Sequence, residues 1–139
     1  MMGIIIKSNM LPTEKDTYRL LVYCSASPDL IERAFSLNKP LAEKLLLLKP
    51  SIRTMRLDKC FNEIIDSLSE KPIIKDIDVL FNPAYKIDVF KMLTASCKRR
   101  KFDLVWSGKL EGNALIYSEE GLPDYHKYEI ESYDIVCVE

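Results

Sequence analysis

Glycine is scarce in this chain of 139 residues, and its four glycines leave a long gap between Gly3 and Gly108. A phosphate-binding loop needs glycine because its backbone N–H groups must crowd around an anion in conformations closed to residues with a Cβ atom. The lysine that reaches the phosphates in such a loop is also lacking, since no lysine lies between Lys15 and Lys39. The sequence therefore excludes a conventional phosphate loop in this part of the chain.

Other kinds of site lack their residues as well. The chain has one histidine and four scattered cysteines without a C-x-x-C pair, so we expect no bound metal. The cysteines are expected to be reduced thiols of a cytoplasmic protein. No apolar run approaches the roughly 18 residues of a membrane span, and the first residues do not resemble a signal peptide. The net charge of −1 provides no general attraction to nucleic acid or to acidic membranes.

Apolar periodicity predicts strands that alternate with helices. The predicted strands are 18–24, 34–38, 72–81, 102–106, 114–117 and 133–138, and the predicted helices begin at Ser27-Pro28, at Pro40, near Leu57 and at Asn82-Pro83. This alternation is typical of a three-layer, largely parallel α/β sheet with helices on both faces, and a small antiparallel edge is expected near the C-terminus. Residues 1–16 are predicted to form an irregular N-terminal arm before a single domain at 17–139.

Two segments at predicted strand ends are candidates for binding a nucleotide. Ser25 and Ser27 lie in the turn after the first predicted strand, and Trp106, Ser107 and Gly108 follow a later strand. They qualify because ligands of open α/β sheets bind at the carboxyl ends of strands. The structural alternative is that Trp106 anchors the core and Gly108 serves a turn.

Asp76 and Asp78 are the candidates for catalysis. They lie two residues apart on a predicted apolar strand, so an ideal strand places both on one face. In P-loop enzymes a carboxylate at such a strand end holds Mg²⁺ and a neighbour orients water. The alternative is that both acids lie near a sheet edge or strand end and pair with Lys75 or with arginine side chains. ATP and Mg²⁺ are cofactors only under the catalytic interpretation, and otherwise no cofactor is expected.

The C-terminal segment is rich in acids and tyrosines. From Tyr117 onward there are seven acids against one lysine, Lys127. Such a surface repels DNA, whereas tyrosines supply rigid contact area with a polar tip that suits a protein interface. The interface candidates are Tyr117, Glu119, Glu120, Asp124, Tyr125 and Tyr128. The alternative is a tyrosine-rich loop packed against its own sheet, with acids that keep it soluble. His126, in the same polar loop, is expected to be a solvated side chain. The basic run 98–101 is either a solvated helix end or a contact for nucleic-acid phosphates.

Several segments of the chain occur in a recognisable order: 77–83 (IDVLFNP), 105–108 (VWSG), 115–125 (LIYSEEGLPDY) and 133–138 (YDIVCV). Together they resemble the small P-loop component, called the F protein, of type 3 BREX bacteriophage-exclusion systems, over roughly Phe35 to the C-terminus. The resemblance implies a P-loop-like fold and partners among other defence-system proteins. This chain departs from the family between Cys24 and Ala34, where about ten residues replace a phosphate loop and a full helix.

These observations predict a degenerate family member that is not an enzyme. It is expected to be a cytoplasmic binding or scaffolding subunit of a BREX-like antiviral system, without direct nucleic-acid or membrane contact, and either monomeric or homo-oligomeric. One alternative is an active nucleotide-binding enzyme with an unusual loop and Asp76 or Asp78 on magnesium. Another is a nucleic-acid-binding regulator that uses the basic helix end and the N-terminal arm.

Overall fold

The fold is built on a parallel sheet, seen in a computed structural model that describes residues 2–9, 13 and 16–139. The strands are β1 (Ile4–Ile6), β2 (Leu20–Tyr23), β3 (Phe35–Ser36), β4 (Ile73–Lys75), β5 (Asp103–Val105), β6 (Lys109–Glu111), β7 (Ala114–Tyr117), β8 (His126–Glu129) and β9 (Ile135–Val138). The α-helices are α1 (Pro28–Arg33), α2 (Asn38–Leu46), α3 (Arg53–Ser67) and α4 (Val89–Arg99). Short 3-10 turns lie at Asp16–Tyr18, Pro50–Ile52, Asp78–Phe81 and Ile130–Ser132.

The strands form two separate sheets. The larger is all-parallel with the order β1-β9-β2-β5-β4-β3, and the smaller is antiparallel with the order β6-β7-β8. The predicted α/β class with a largely parallel sheet is therefore confirmed. The antiparallel strands were expected at an edge of that sheet, but they form a sheet of their own between β5 and β9 in the chain. The predicted strands 72–81 and 34–38 are also shorter than expected, at three and two residues.

The main core lies between one face of the parallel sheet and the helices α2, α3 and α4. Alternate strand residues such as Val22, Leu104 and Cys137 are fully buried in this core. The chain crosses the sheet in one direction from β3 through β4 to β5, and in the opposite direction from β2 to β3. Right-handed crossovers therefore place α1 over the other face. None of the α1 residues is buried, so this second helical layer is thin.

The helix starts follow the predicted caps only in part. Helix α3 buries Leu57, Phe61 and Ile64 at helical spacing, as expected. Helix α4, however, begins at Val89 and not at Asn82-Pro83. Its N-cap is Asp88, whose Oδ1 accepts the Lys91 N–H at 3.1 Å. The Asn82 side chain instead accepts the N–H of Ala84 at 3.0 Å, which closes a local turn.

The N-terminal segment, which the sequence predicts to be an irregular arm, contains strand β1. Strand β1 pairs with β9, with Ile5 opposite Cys137. Without β1, the backbone N–H and C=O groups on that side of β9 would have no hydrogen-bonding strand beside them. The three isoleucines of β1 also favour an extended backbone. Gly3 is required here because a Cβ atom would lie 2.0 Å from the Ile130 carbonyl oxygen. The remainder of the predicted arm at 10–12 and 14–15 lies outside the described residues.

Two further features of the fold concern the cysteines and the lengths of the helices. All four cysteines are free thiols, and Cys60, Cys97 and Cys137 are buried. Within the described part of the chain, every helix is too short or too polar to cross a bilayer.

Candidate functional site

The carboxyl ends of β2 and β5 mark the topological switch point of the parallel sheet. The chain leaves β2 toward β3 on one side and leaves β5 toward β9 on the other. Ligands of open α/β sheets bind in the crevice at such a point. The two strands stay joined at their ends, since the Trp106 N–H donates to the Tyr23 carbonyl at 2.9 Å. The residues that follow them are the predicted nucleotide-binding candidates Ser25, Ser27, Trp106, Ser107 and Gly108, which the fold thus brings together.

The turn after β2 is short and is used to start a helix. Residues 24–27 link β2 to α1, and Ser27 is the N-cap, accepting the Leu30 N–H at 3.2 Å. Helix α1 has six residues. No residue from 24 to 34 is glycine, so this turn lacks the conformations that aim several backbone N–H groups at one phosphate.

Trp106 is a core residue. Its side chain is 4% exposed, and its ring centroid lies 5.4 Å from that of Phe90 and 6.0 Å from that of Phe81. The indole Nε1–H donates to the Lys109 carbonyl at 3.1 Å, which satisfies its polar atom. Gly108 is needed for close packing, because a Cβ there would lie 2.2 Å from the Ile116 carbonyl oxygen. The alternative that Trp106 anchors the core therefore fits the geometry, whereas glycine is required at position 108 by close packing against β7.

The two candidate acids do not share a strand face, which corrects our prediction. Strand β4 ends at Lys75, Asp76 has a φ of 53°, and Asp78 opens a 3-10 turn. The left-handed conformation of Asp76 ends the extended run and reverses the expected alternation of side chains. Both acids lie just beyond a strand end, which was part of the structural alternative.

The acids are held by neutral donors from distant segments. The Ser36 hydroxyl donates to Asp76 at 2.7 Å. Asp78 accepts two bonds, from Asn38 Nδ2 at 2.8 Å and from the Tyr117 hydroxyl at 2.7 Å. Burial alone would raise the pKa of Asp78, but the bonds from Tyr117 and Asn38 together with a backbone hydrogen bond outweigh it and hold the pKa below its usual range. The expected pairing with Lys75 or arginine is wrong, since neither acid forms a salt bridge with a described residue.

Lys75 has a different role from the one predicted. Its Nζ donates to the Ile31 carbonyl at 2.7 Å, which satisfies a group in the last turn of α1. Within the described residues there is no group of three or more histidine, cysteine or acidic side chains placed to hold a metal ion.

Two of the six interface candidates belong to the protein interior or its margin. Tyr128 is 4% exposed, so its assignment to an exposed interface is wrong. Tyr117 is half-buried and stacks on Phe81 with 3.8 Å between ring centroids. Burial, followed by the hydrogen bond to Asp78, raises the pKa of Tyr117. His126 lies on β8 and not in a solvated loop, and its ring stacks with Tyr128.

The other interface candidates lie on or beside a structured turn, residues 118–125, which we call the acidic turn. Glu119 and Glu120 are exposed, whereas Asp124 and Tyr125 are half-buried. The Ser118 hydroxyl donates to Asp124 at 2.6 Å. Two backbone bonds close the turn, from Leu122 N–H to the Glu119 carbonyl at 3.0 Å and from Tyr125 N–H to the Leu122 carbonyl at 3.1 Å. The turn therefore presents Glu119 and Glu120 from a well-defined backbone.

The basic run 98–101 is engaged with the rest of the protein. Arg99 forms a salt bridge with Asp66 at 2.7 Å. The Arg100 guanidinium donates to the carbonyls of Ile65, Leu68 and Ser69 at the end of α3. Lys101 pairs with Asp103. Lys98 lies 3.7 Å from Asp134, so all four cations have partners within the fold, which leaves little of this run for phosphates.

Sequence analysis missed Ser36 and Asn38, the residues that hold the two acids. They lie about 40 positions before the acids, and their only local signal was their place where the short strand β3 gives way to α2. Comparison of this chain with protein-family models, with curated proteins and with solved structures found no match.

Proposed function

We propose that this chain is a degenerate P-loop-type domain that has lost its nucleotide cradle and serves as a non-catalytic binding or scaffolding subunit. The system we propose for it is a BREX-like antiviral defence system, on the resemblance of its segments between 77 and 138 to the F protein. Its partners are then other proteins of that system.

The observation that carries the proposal is the turn from β2 to α1. In doubly wound nucleotide-binding sheets, the first strand-to-helix turn at the switch point holds the phosphates against a helix N-terminus. Here that turn is four residues long, glycine-free and followed by a six-residue helix. The helix dipole acts mainly through the first turn, and the N-cap hydroxyl of Ser27 already occupies one of the N–H groups there.

The environment of the acids supports the same conclusion. An Mg²⁺ ion needs carboxylate oxygens that are free to replace water. Both Asp78 oxygens already accept hydrogen bonds, from Tyr117 and Asn38, and one Asp76 oxygen accepts from Ser36. These bonds tie β7, α2 and β3 to the end of β4, which is a structural use of the carboxylates.

Isothermal titration calorimetry with ATP and Mg²⁺ tests the loss of the cradle. We expect no binding in the micromolar range and the same result for Asp78→Ala. Micromolar binding that Asp78→Ala abolishes would instead establish the alternative, an active nucleotide-binding enzyme with an unusual loop.

A pull-down with the products of neighbouring genes tests the binding role. Glu119→Lys with Glu120→Lys should reduce partner recovery, because these exposed carboxylates lie on the acidic turn. Glu32→Lys with Glu70→Lys is the matched control, since it makes the same change of charge at exposed positions elsewhere. Equal recovery by all three proteins would count against the acidic turn as a partner surface.

A further inference from the structure

Charge is strongly segregated in this nearly neutral chain. Residues 39–60, at the junction of α2 and α3, contain six basic and two acidic side chains, and we call this region the basic corner. From Tyr117 onward the balance is reversed, with seven acids against one lysine. Opposite surface potentials on one molecule steer two copies toward each other, and a net charge near zero does not oppose their association.

The basic corner also exposes large apolar side chains. Leu46, Leu47 and Met55 are 69%, 86% and 70% exposed. Single exposed apolar residues are ordinary, but a group of them rimmed by polar residues marks an interaction site. Arg56 and Lys59 are exposed in this region, with no carboxylate within salt-bridge distance in the described part of the chain.

A cavity of about 270 Å³ lies between α2 and α3 in the basic corner. Its apolar walls come from Leu47, Leu48, Ile52 and Cys60, and its rim carries Lys44, Arg56, Lys59 and Glu63. The single acid of the rim is neutralised, since Glu63 pairs with Lys44 at 3.1 Å. The cavity therefore suits an apolar side chain that is flanked by carboxylates.

The acidic turn carries that combination. Leu122 is 51% exposed at its tip, between Glu119 and Glu120 on one side and Asp124 on the other. The three hydrogen bonds within the turn hold its shape, so little conformational freedom is lost on docking. An ordered apolar tip with flanking acids is the chemical complement of an apolar cavity with a basic rim.

We infer that the acidic turn of one copy docks on the basic corner of a second copy, with Leu122 in the cavity between α2 and α3. The inference deepens the proposed function, because it rests on the acidic turn as a protein-binding surface and names one of its partners as the chain itself. The contact joins unlike surfaces, so it either forms twice in a closed dimer or repeats along a ring or chain of copies.

A charge-swap experiment by sedimentation velocity tests the contact. One variant carries Glu119→Lys and Glu120→Lys, and the other carries Arg56→Glu and Lys59→Glu. Each variant alone brings like charges together and should be monomeric at concentrations where the natural sequence associates. An equimolar mixture restores opposite charges at every contact and should associate again.

A third variant, Leu122→Ser, keeps all charges and tests the apolar anchor. It should weaken association roughly tenfold or more, as for an anchor at an interface centre.

Matched controls separate this contact from a general effect of charge. Glu32→Lys with Glu70→Lys, and Lys7→Glu with Lys91→Glu, change exposed residues elsewhere by the same amounts and should associate like the natural sequence. High salt should weaken the association of the natural protein, because the charges are exposed.

The other outcomes would overturn the inference. The natural protein would be monomeric at every concentration in low salt, or neither charge variant would reduce its association, or the equimolar mixture of the two charge variants would stay monomeric. If the protein is monomeric and its basic corner binds vesicles of anionic phospholipid, that surface is a membrane contact instead.

If the protein is monomeric but partner recovery still depends on Glu119 and Glu120, the proposed function stands and only self-association fails. If ATP binds, the proposed function fails while the sedimentation result is unaffected.

Discussion

Arg100 binds the end of α3, so its removal should cost more stability than removal of its neighbour Arg99. The Arg100 guanidinium donates to Ile65, to Leu68 at 2.9 Å and to Ser69 at 3.4 Å. The Ile65 carbonyl also accepts the Leu68 N–H at 3.2 Å, whereas the carbonyls of Leu68 and Ser69 lie past the last turn of α3, where no helical N–H follows. Arg100→Ala therefore leaves the carbonyls of Leu68 and Ser69 to water.

The expected loss follows from the number and strength of these bonds. A hydrogen bond to a charged group contributes about 1.5–3 kcal/mol. The side chain is 28% exposed, so water replaces part of what is lost, and the Ser69 bond is long. We therefore expect a decrease of about 2 kcal/mol in the free energy of unfolding, which for a domain of this size lowers Tm by roughly 8 °C.

Arg99→Ala is the matched comparison, because it removes the same charge from the neighbouring position. The Arg99–Asp66 salt bridge has side chains that are 44% and 50% exposed, and surface pairs of this kind contribute about 0–1 kcal/mol. Urea unfolding and thermal melts of both variants measure the difference. Equal losses for the two variants would refute the assignment of Arg100 to the end of α3.

The same pair of variants tests the nucleic-acid alternative. With both guanidiniums engaged in the fold, replacing them should leave any gel shift with DNA unchanged. A salt-dependent shift that disappears when both are replaced would favour the regulator hypothesis instead.

Two further predictions concern the surroundings of the candidate site. Tyr117→Phe removes a hydrogen bond to Asp78 and should cost about 1 kcal/mol at neutral pH. Because the folded pKa of Asp78 is lowered, this contribution is present above its unfolded pKa of about 3.9 and is lost as the pH falls through the folded value. Urea unfolding should show the difference shrinking as the pH falls below about 3.9, and a constant difference would contradict this role. Gly108→Ala places a Cβ 2.2 Å from the Ile116 carbonyl oxygen and should cost about 2 kcal/mol or more, so an unchanged Tm would show that β6 and β7 are not packed as described.

Local patterns predicted much of the fold. The apolar runs located most strands within a few residues, the Ser27-Pro28 pair predicted the N-cap of α1, and the spacing of Leu57, Phe61 and Ile64 predicted the buried face of α3. These features depend on neighbours along the chain, since backbone preference, capping and periodicity act over a few residues. The absence of glycine and lysine after β2 is likewise a property of sequence alone.

Contacts between distant segments decided the rest. Asp76 and Asp78 resembled a catalytic pair in sequence, but their partners Ser36, Asn38 and Tyr117 come from other elements. The basic run resembled a solvated helix end because the carbonyls of α3 that receive Arg100 are more than 30 residues away. Tyr128 and Tyr125 looked alike in sequence, yet only Tyr128 is buried.

The alternation of strands and helices and the lack of a phosphate cradle after β2 therefore follow from local sequence. Which charges and tyrosines are used inside the protein, and which remain on its surface, follows from the packing of distant segments. The physical reason is that a side chain's hydrogen-bonding partners and burial depend on which segments pack together, and that packing is set by the whole sheet and its helices rather than by a residue's neighbours in the chain.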